Sequence, residues 1–329
     1  MKELMNSTFL ITGATGMIGQ NIVALLKKLN EEENLNIKII AHGRNEAKVN
    51  RLFNDTDIVK LVCDINDISY DNEIDYIIHT AGVTGGSKQH LDFPMTTILT
   101  ALEGTKSVLD LAVEKNVKGL VYLSTLEVYG DTGFSKEDKV ENKGGFIDPT
   151  NVRSSYPESK RMCECMCASY TKQYGVPTYI ARLTSTFGYG VSYSDKRVFA
   201  QFARSIIENQ NIVLKSTGET VRNYCDAEDA AMAFLVMLMN GTPGEAYNVA
   251  NMNTEISIKD LALKFIDNFP NSKTKLVFDI SEADAAKLGY NKVQRNVLNS
   301  DKLFSIGWKP KFSLDETIVK LVKYMSQNK

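Results

Sequence analysis

A tyrosine and a lysine four residues apart, Tyr156 and Lys160 in Ser155-Tyr-Pro-Glu-Ser-Lys160, carry the most readable chemistry of this chain. A phenol held beside an ammonium group can take a proton from an alcohol at neutral pH. Free tyrosine titrates near about 10. A lysine charge about 4 Å away, at an effective dielectric of about 20, favours the phenolate by roughly 4 kcal/mol. At about 1.36 kcal/mol per unit, that brings the pKa toward roughly 7. The i, i+4 spacing sets both side chains on one face of a helix. Ser155 and Glu158 have the spacing of a capping box, which puts Tyr156 in the first turn, where the positive helix end favours phenolate further. Pro157 opposes helical geometry at Tyr156, so the helix start is predicted only to within a residue.

The elements that must position this pair follow from the hydropathy pattern. Short apolar runs alternate with longer amphipathic ones, the signature of a parallel sheet covered by helices. Phe9-Leu-Ile, Ile37 to Ala41, Ile58 to Val62, Tyr76 to His79, Gly119 to Leu123 and Thr178 to Ala181 read as strands. Helical patterns run over Met17 to Leu29, about Met95 to Lys115 and about Tyr156 to Tyr174. After about residue 183 the rhythm breaks into shorter pieces. These are helices at Lys196 to Glu208, Ala227 to Met239, Ile258 to Phe269 and Leu314 to Met325, and a strand at Ala246 to Val249.

Composition excludes several classes of function. A chain of 329 residues with 43% hydrophobic content can bury a large core. A formal net charge of −2 gives no support to a nucleic-acid partner. The longest apolar run, Met232 to Met239, is too short to span a membrane, and no secretion signal is evident, so a soluble cytoplasmic protein is expected. Cys63, Cys163, Cys165, Cys167 and Cys225 form no disulfide framework. On a helix Cys163 and Cys167 share a face and Cys165 points away, so a metal site is not expected. His42, His79 and His90 are likewise scattered, and His79, at the end of an apolar strand, reads as structural.

Thr12-Gly-Ala-Thr-Gly-Met-Ile-Gly19 lies directly between the first strand and the first helix. In that position Gly13 permits a tight turn, Gly16 lets backbone N–H groups approach a pyrophosphate, and Gly19 lets the helix pack on the sheet. Thr15, Met17 and Ile18 complete the loop that would hold a dinucleotide at the helix amino terminus. The second strand ends in Ala41-His-Gly-Arg-Asn45, without the carboxylate that binds a ribose 2′-hydroxyl; Arg44 suits a 2′-phosphate, adenine stacking or solvent. NAD and NADP therefore both remain open. Asp64 and Ile65 fit an adenine contact, and Ala81 and Gly82 let the backbone approach the adenosine ribose and pyrophosphate.

Leu123-Ser-Thr-Leu-Glu-Val-Tyr-Gly130 follows the fifth strand, at the sheet edge where α/β folds place ligands. With the Gly-x-x-Gly-x-x-Gly turn and the Tyr156/Lys160 pair, the chain resembles the extended short-chain dehydrogenases/reductases. Within them it resembles the NAD-dependent epimerase/dehydratase family acting on nucleotide sugars, from Phe9 to about Pro310. The resemblance implies a Rossmann doubly wound parallel sheet over 1–182, with later returns to it, and a smaller carboxyl-terminal α/β lobe over 183–329 for the nucleotide sugar. It also implies a homodimer built on a four-helix bundle of the Met95–Lys115 helix and the Tyr156 helix.

By the same resemblance, Thr125 hydrogen-bonds the sugar hydroxyl, Tyr156 removes its proton, and Lys160 holds the nicotinamide ribose. A transient 4-keto sugar is the implied intermediate, with a bound and recycled NAD or NADP. Glu127 matches the acid found in 4,6-dehydratases and UDP-glucuronate decarboxylases. Leu126 departs from the Asp of dTDP-glucose 4,6-dehydratases. Arg153-Ser-Ser-Tyr-Pro-Glu-Ser-Lys-Arg161 and Ser194-Asp-Lys-Arg-Val-Phe199 look most like the decarboxylase branch. Arg222 aligns with the family's diphosphate-binding arginine, and Arg197 and Arg295 are candidates for the same task. Ser185 replaces the family's usual Asn, and Tyr189 its Pro. Decarboxylation, dehydration and epimerisation stay open; a NADPH-dependent 4-keto-sugar reductase and a silent dinucleotide-binding sensor are the alternatives.

Overall fold

The computed structural model describes residues 1–82, 86–132, 137–280 and 293–329. Its frame is a seven-stranded sheet made of β1 (Thr8–Thr12), β2 (Lys38–Gly43), β3 (Ile58–Val62), β4 (Tyr76–His79), β5 (Gly119–Thr125), β6 (Thr178–Leu183) and β10 (Ala246–Val249). The strand order is β10-β6-β5-β4-β1-β2-β3, and every pairing is parallel. This is the doubly wound Rossmann arrangement read from the sequence. Its winding reverses between β1 and β4, which opens a crevice at their carboxyl ends.

Alternation along each strand feeds two cores. Phe9 and Ile11 of β1 face α1 (Met17–Glu33) and α7 (Ala227–Asn240), and their cluster includes Ile22, Leu26, Phe234 and Trp308. Leu10, Ile77, Leu120 and Tyr122 point the other way, into a cluster with Val108 and Leu109 of α4 (Pro94–Glu114) and Cys163 and Cys167 of α5 (Ser155–Tyr174). Cys165 is exposed, as helical periodicity required. Gly175, in the left-handed region at φ +73°, ends α5. Two short helices, α2 (Glu46–Leu52) and α3 (Gly86–Asp92), complete this half.

The smaller lobe is built from excursions. A second sheet joins β7 (Ser185–Phe187), β9 (Val221–Asp226), β11 (Asn251–Ser257) and β13 (Arg295–Asn296). β9 is its centre, with β11 along one side and β7 and β13 sharing the other. A parallel pair joins β8 (Ile212–Leu214) to β12 (Leu276–Phe278). Helices α6 (Val198–Glu208), α8 (Ile258–Asn268) and α10 (Leu314–Gln327) pack over Phe187, Phe199, Phe202 and Phe265. Ser313 and Glu316 form a reciprocal capping box at the start of α10. A one-turn helix, α9 (Asp301–Ser305), leads into the loop that buries Trp308.

The chain does not leave the first sheet for good at residue 183. α7 packs on α1, and β10 pairs with β6 as the sheet's edge strand. No described helix is long and apolar enough to cross a membrane.

Candidate active site

Strand β5 delivers Thr125 at its last residue, and a 3-10 turn, Leu126–Tyr129, follows at once. Thr125 caps that turn, its hydroxyl accepting from the Glu127 N–H at 3.3 Å. The same hydroxyl lies close enough to the phenol of Tyr156 to oppose the rise of its pKa, so the sequence-predicted pair is brought together. Tyr156 lies in the first turn of α5, as expected, but the expected capping box is absent. A 3-10 turn, Val152–Ser154, runs straight into the helix, and Ser154 occupies the N-cap without a side-chain cap bond. Ser155 Oγ donates instead to the His90 carbonyl (3.4 Å), and Glu158 pairs with Arg161. Pro157 is tolerated because first-turn N–H groups have no intrahelical acceptor.

The expected lowering of the Tyr156 pKa by Lys160 is overturned. Burial pushes the phenol up to about 12, and the Glu127 charge adds to the rise; the Thr125 hydroxyl and the charges of Arg153 and Arg197 only partly oppose it. The Lys160 ammonium is directed elsewhere. It donates to the Leu123 carbonyl at 2.8 Å and stands 4.7 Å from the centroid of the Tyr122 ring. Burial lowers its own pKa. Ser124, between them, is tied from behind: its Oγ donates to Glu164 Oε1 (2.5 Å), and Glu164 pairs with Arg182 at 2.7 Å in the interior. This bond anchors the end of β5 to α5.

Glu127 Oε2 accepts from Arg153 at 2.6 Å. The other terminal nitrogen of Arg153, NH1, is buried and has no hydrogen-bond partner among the described residues. Arg153 opens the Arg153-to-Arg161 motif, which by itself assigns it no role. Its place three residues before Tyr156 was the available signal. The His90 ring, to which no sequence motif assigns a role, stacks on Tyr156. No local pattern reveals that contact.

Arg222 lies in β9 with NH1 3.5 Å from Ser185 Oγ, and its Nε is buried and unpartnered among the described residues. These two predicted residues therefore meet. Arg197 clamps Asp195 (2.6 Å) and covers the Phe199 ring, while its charge still reaches Tyr156. Arg295 pairs with Asp138 (2.7 Å) and Glu255 (2.8 Å).

The glycine turn fits a dinucleotide. Gly13 has φ +65°, and a Cβ on it would lie 2.8 Å from the backbone of Ala81. Gly16 is the N-cap of α1 and no side chain caps that end, so the first N–H groups of Met17, Ile18 and Gly19 are available to an anion. Thr15 lies beside Gly43, and Arg44 is exposed. Gly82 brings its backbone within reach of Lys160, whose Nζ is 4.0 Å from the position of a Cβ there. Asp64 turns its carboxylate to the Asn66 N–H (3.0 Å), and Ile65 is buried against Gly104. His79 is buried with each ring nitrogen against a threonine hydroxyl, Thr12 (2.7 Å) and Thr105 (3.3 Å), so it is structural.

Residues 9–250 match the NAD dependent epimerase/dehydratase family. The chain belongs to this family. It is similar to the mouse dTDP-D-glucose 4,6-dehydratase, 27% identical over 97% of this chain and 88% of that protein. It is 31% identical to the Xenopus tropicalis UDP-glucuronic acid decarboxylase 1 over 77% of this chain and 57% of that one. The crystal structure of dTDP-glucose 4,6-dehydratase from Bacillus anthracis, in complex with NAD, superposes with a TM-score of 0.78 at 20% identity, covering 98% of this chain and 97% of that one. The family is one of NAD-dependent enzymes, and the geometry of the glycine turn, the uncapped α1 and Lys160 near Gly82 is compatible with that cofactor.

Proposed function

We propose that this chain decarboxylates a nucleotide-linked uronic acid through transient oxidation at C4. Arg153 carries the reading. A buried guanidinium N–H without an acceptor costs about 1–3 kcal/mol, so a site that keeps one is built for an incoming acceptor. Beside Tyr156 and Thr125 the acceptor we assign is the sugar's C6 carboxylate. Arg222, equally buried and unpartnered at Nε, is our candidate for the nucleoside diphosphate, with Ser185 at its side.

In this reading Thr125 and Tyr156 hold the C4 hydroxyl, and Tyr156 takes its proton while Lys160 orders the ribose side of the site. A nicotinamide cofactor held at the glycine turn and beside Lys160 would supply the reversible hydride chemistry at C4. With a ketone at C4 the substrate is a β-keto acid. The C5–C6 bond breaks, carbon dioxide leaves, and the electron pair moves to the C4 oxygen as an enolate. A proton returned at C5 regenerates the ketone, and Glu127 is the group we assign to that proton. Tyr156 then gives its proton back as C4 is reduced.

Dehydration is the second reading, favoured by the relatives named 4,6-dehydratase that align over 97% of the chain. Against it, Leu126 is a partly buried apolar side chain packed near Val128 and supplies no acid to expel a hydroxyl. Incubation with UDP-, GDP-, CDP- and dTDP-linked hexoses and uronic acids, read by mass, decides between them. Loss of carbon dioxide from a uronic acid without net consumption of cofactor is expected. Loss of water, an unchanged mass with inverted stereochemistry, or stoichiometric depletion of reduced nicotinamide each refutes the decarboxylase.

We also propose a homodimer through α4 and α5. Met95, Leu99 and Val113 form an exposed stripe on α4, and Met162 is exposed on α5. Light scattering at the mass of one chain overturns this.

A further inference from the structure

The turn that carries Thr125 and Glu127 is held at both ends by a single ion pair. Ser124, just before Thr125, is buried, and its Oγ donates to Glu164 Oε1 at 2.5 Å. Tyr129 closes the turn and is buried as well. Its hydroxyl accepts from Arg182 NH1 at 3.1 Å and donates to Asn248 Oδ1 at 2.6 Å. Arg182 joins the two arms. Its Nε and NH2 donate to the Glu164 carboxylate at 3.1 and 2.7 Å, and its guanidinium carbon lies 4.9 Å from the centroid of the Tyr129 ring.

Both arms end on rigid elements. On α5, Tyr156, Lys160 and Glu164 follow one another at four-residue intervals and share one helical face, so the phenol, the ammonium and this carboxylate form one ridge. Asn248 belongs to β10, and its Nδ2 donates to the Lys139 and Asn299 carbonyls, both at 2.9 Å. Arg182 NH1 also donates to the Glu141 carbonyl at 2.9 Å.

We propose that the Glu164–Arg182 pair positions the reacting groups from behind, Ser124 acting through Thr125 and Tyr129 acting through Glu127. A buried ion pair adds little stability over apolar side chains of similar volume, so fixed geometry is the gain we assign to it. Displacing a reacting group by about 1 Å can cost roughly a hundredfold in rate. These positioning roles rest on those proposed above for Thr125 and Glu127, whichever sugar is turned over.

Ser124→Ala and Tyr129→Phe each cut one arm and leave the ion pair in place, so both are expected to fold. With the nucleotide sugar turned over in the mass panel, each is expected to lower kcat by about tenfold to a hundredfold while KM and NAD+ affinity stay within about twofold. Ser124→Ala should cost nothing further in a Thr125→Ala background, nor Tyr129→Phe in a Glu127→Gln background, because each acts through the residue already removed. An effect on KM alone, or losses that multiply in the double variants, overturns the proposal. Hydrogen exchange of the cofactor-free full chain, read by mass, needs no substrate. The segment from Leu123 to Gly130, where the Glu127 N–H donates to Thr125 Oγ at 3.3 Å, is expected to exchange about fivefold to tenfold faster in either variant. Unchanged exchange there overturns the clamp even if the decarboxylase reading has failed and no sugar is turned over.

Discussion

Tyr156 lies flat against His90, with ring centroids 4.4 Å apart and planes inclined by 19°. The imidazole covers the phenol on one side and is itself fixed by the Thr97 hydroxyl at 3.2 Å from Nδ1. Burial and the Arg153 charge push the His90 pKa down, so at neutral pH the ring is an uncharged lid that adds apolar surroundings to the phenol. Without cofactor, the phenol we propose for proton transfer is therefore held in its protonated form.

Phenol ionisation is the direct check. In cofactor-free protein, the difference in phenolate absorbance between the unaltered chain and Tyr156→Phe should develop near pH 12, above the usual tyrosine range. Glu127→Gln removes a negative charge that raises this pKa, so its midpoint should move downward. A Tyr156 midpoint near neutrality without cofactor contradicts this account.

Removing the phenolic oxygen separates chemistry from binding. Tyr156→Phe should lower turnover by about a hundredfold to ten-thousandfold, the usual range for a positioned acid–base group. Dinucleotide binding, followed by tryptophan fluorescence, should survive, because Lys160 keeps its bond to the Leu123 carbonyl. Retained turnover removes Tyr156 from the chemistry.

Arg153 should show itself in substrate affinity. Arg153→Ala is expected to raise KM for a nucleotide-linked uronic acid by roughly tenfold to a hundredfold, while affinity for the neutral hexose counterpart changes little. Equal losses for both sugars mean that Arg153 acts on Glu127 alone.

At Gly19 the constraint is contact, not backbone conformation. A Cβ there would lie 2.5 Å from Ala14 Cα and 2.6 Å from the Gly13 carbonyl oxygen. Gly19→Ala should force α1 away from the turn, lowering stability by about 1–3 kcal/mol in urea denaturation and weakening dinucleotide binding. An unchanged midpoint shows that α1 shifts without cost.

His79 predicts acid lability. Burial lowers its pKa from 6.5 to about 3, with the Lys160 charge adding to the shift. The unfolded chain protonates this ring near 6.5 and the folded chain does not, so its contribution is present above that pH. It is lost as pH falls toward 3, by roughly 5 kcal/mol at the limit. Urea midpoints from pH 7 down to pH 4 should fall in the native chain, with a shallower slope in His79→Gln; parallel slopes exclude the histidine.

Much of this was legible because it is local. β1, β4 and β5 are runs whose alternation and flanking turns identify them, and the glycine turn announces itself by lying between a strand and a helix. Thr125, Tyr156 and Lys160 are fixed by strand end and helix spacing. Burial of the Tyr156 phenol dominates its pKa, and Lys160 donates elsewhere. Its acceptor, Leu123, belongs to a strand 37 residues away. The stacking of His90 and the open nitrogen of Arg153 depend on packing between α3, the turn before α5 and β5. The short strands β7, β9 and β13 read poorly because each is polar or brief and gains order only from its neighbours.

The pairing of β10 with β6 has a practical consequence for anyone dividing the molecule. A fragment ending near residue 183 would keep every residue of the glycine turn and the Tyr156 helix, yet would bare the hydrogen-bonding edge of β6 and strip α7 from α1. Such a piece should aggregate through that open strand. The nucleotide half is thus completed by residues translated long after it, so a nascent chain cannot close its sheet until roughly three-quarters of the sequence has emerged.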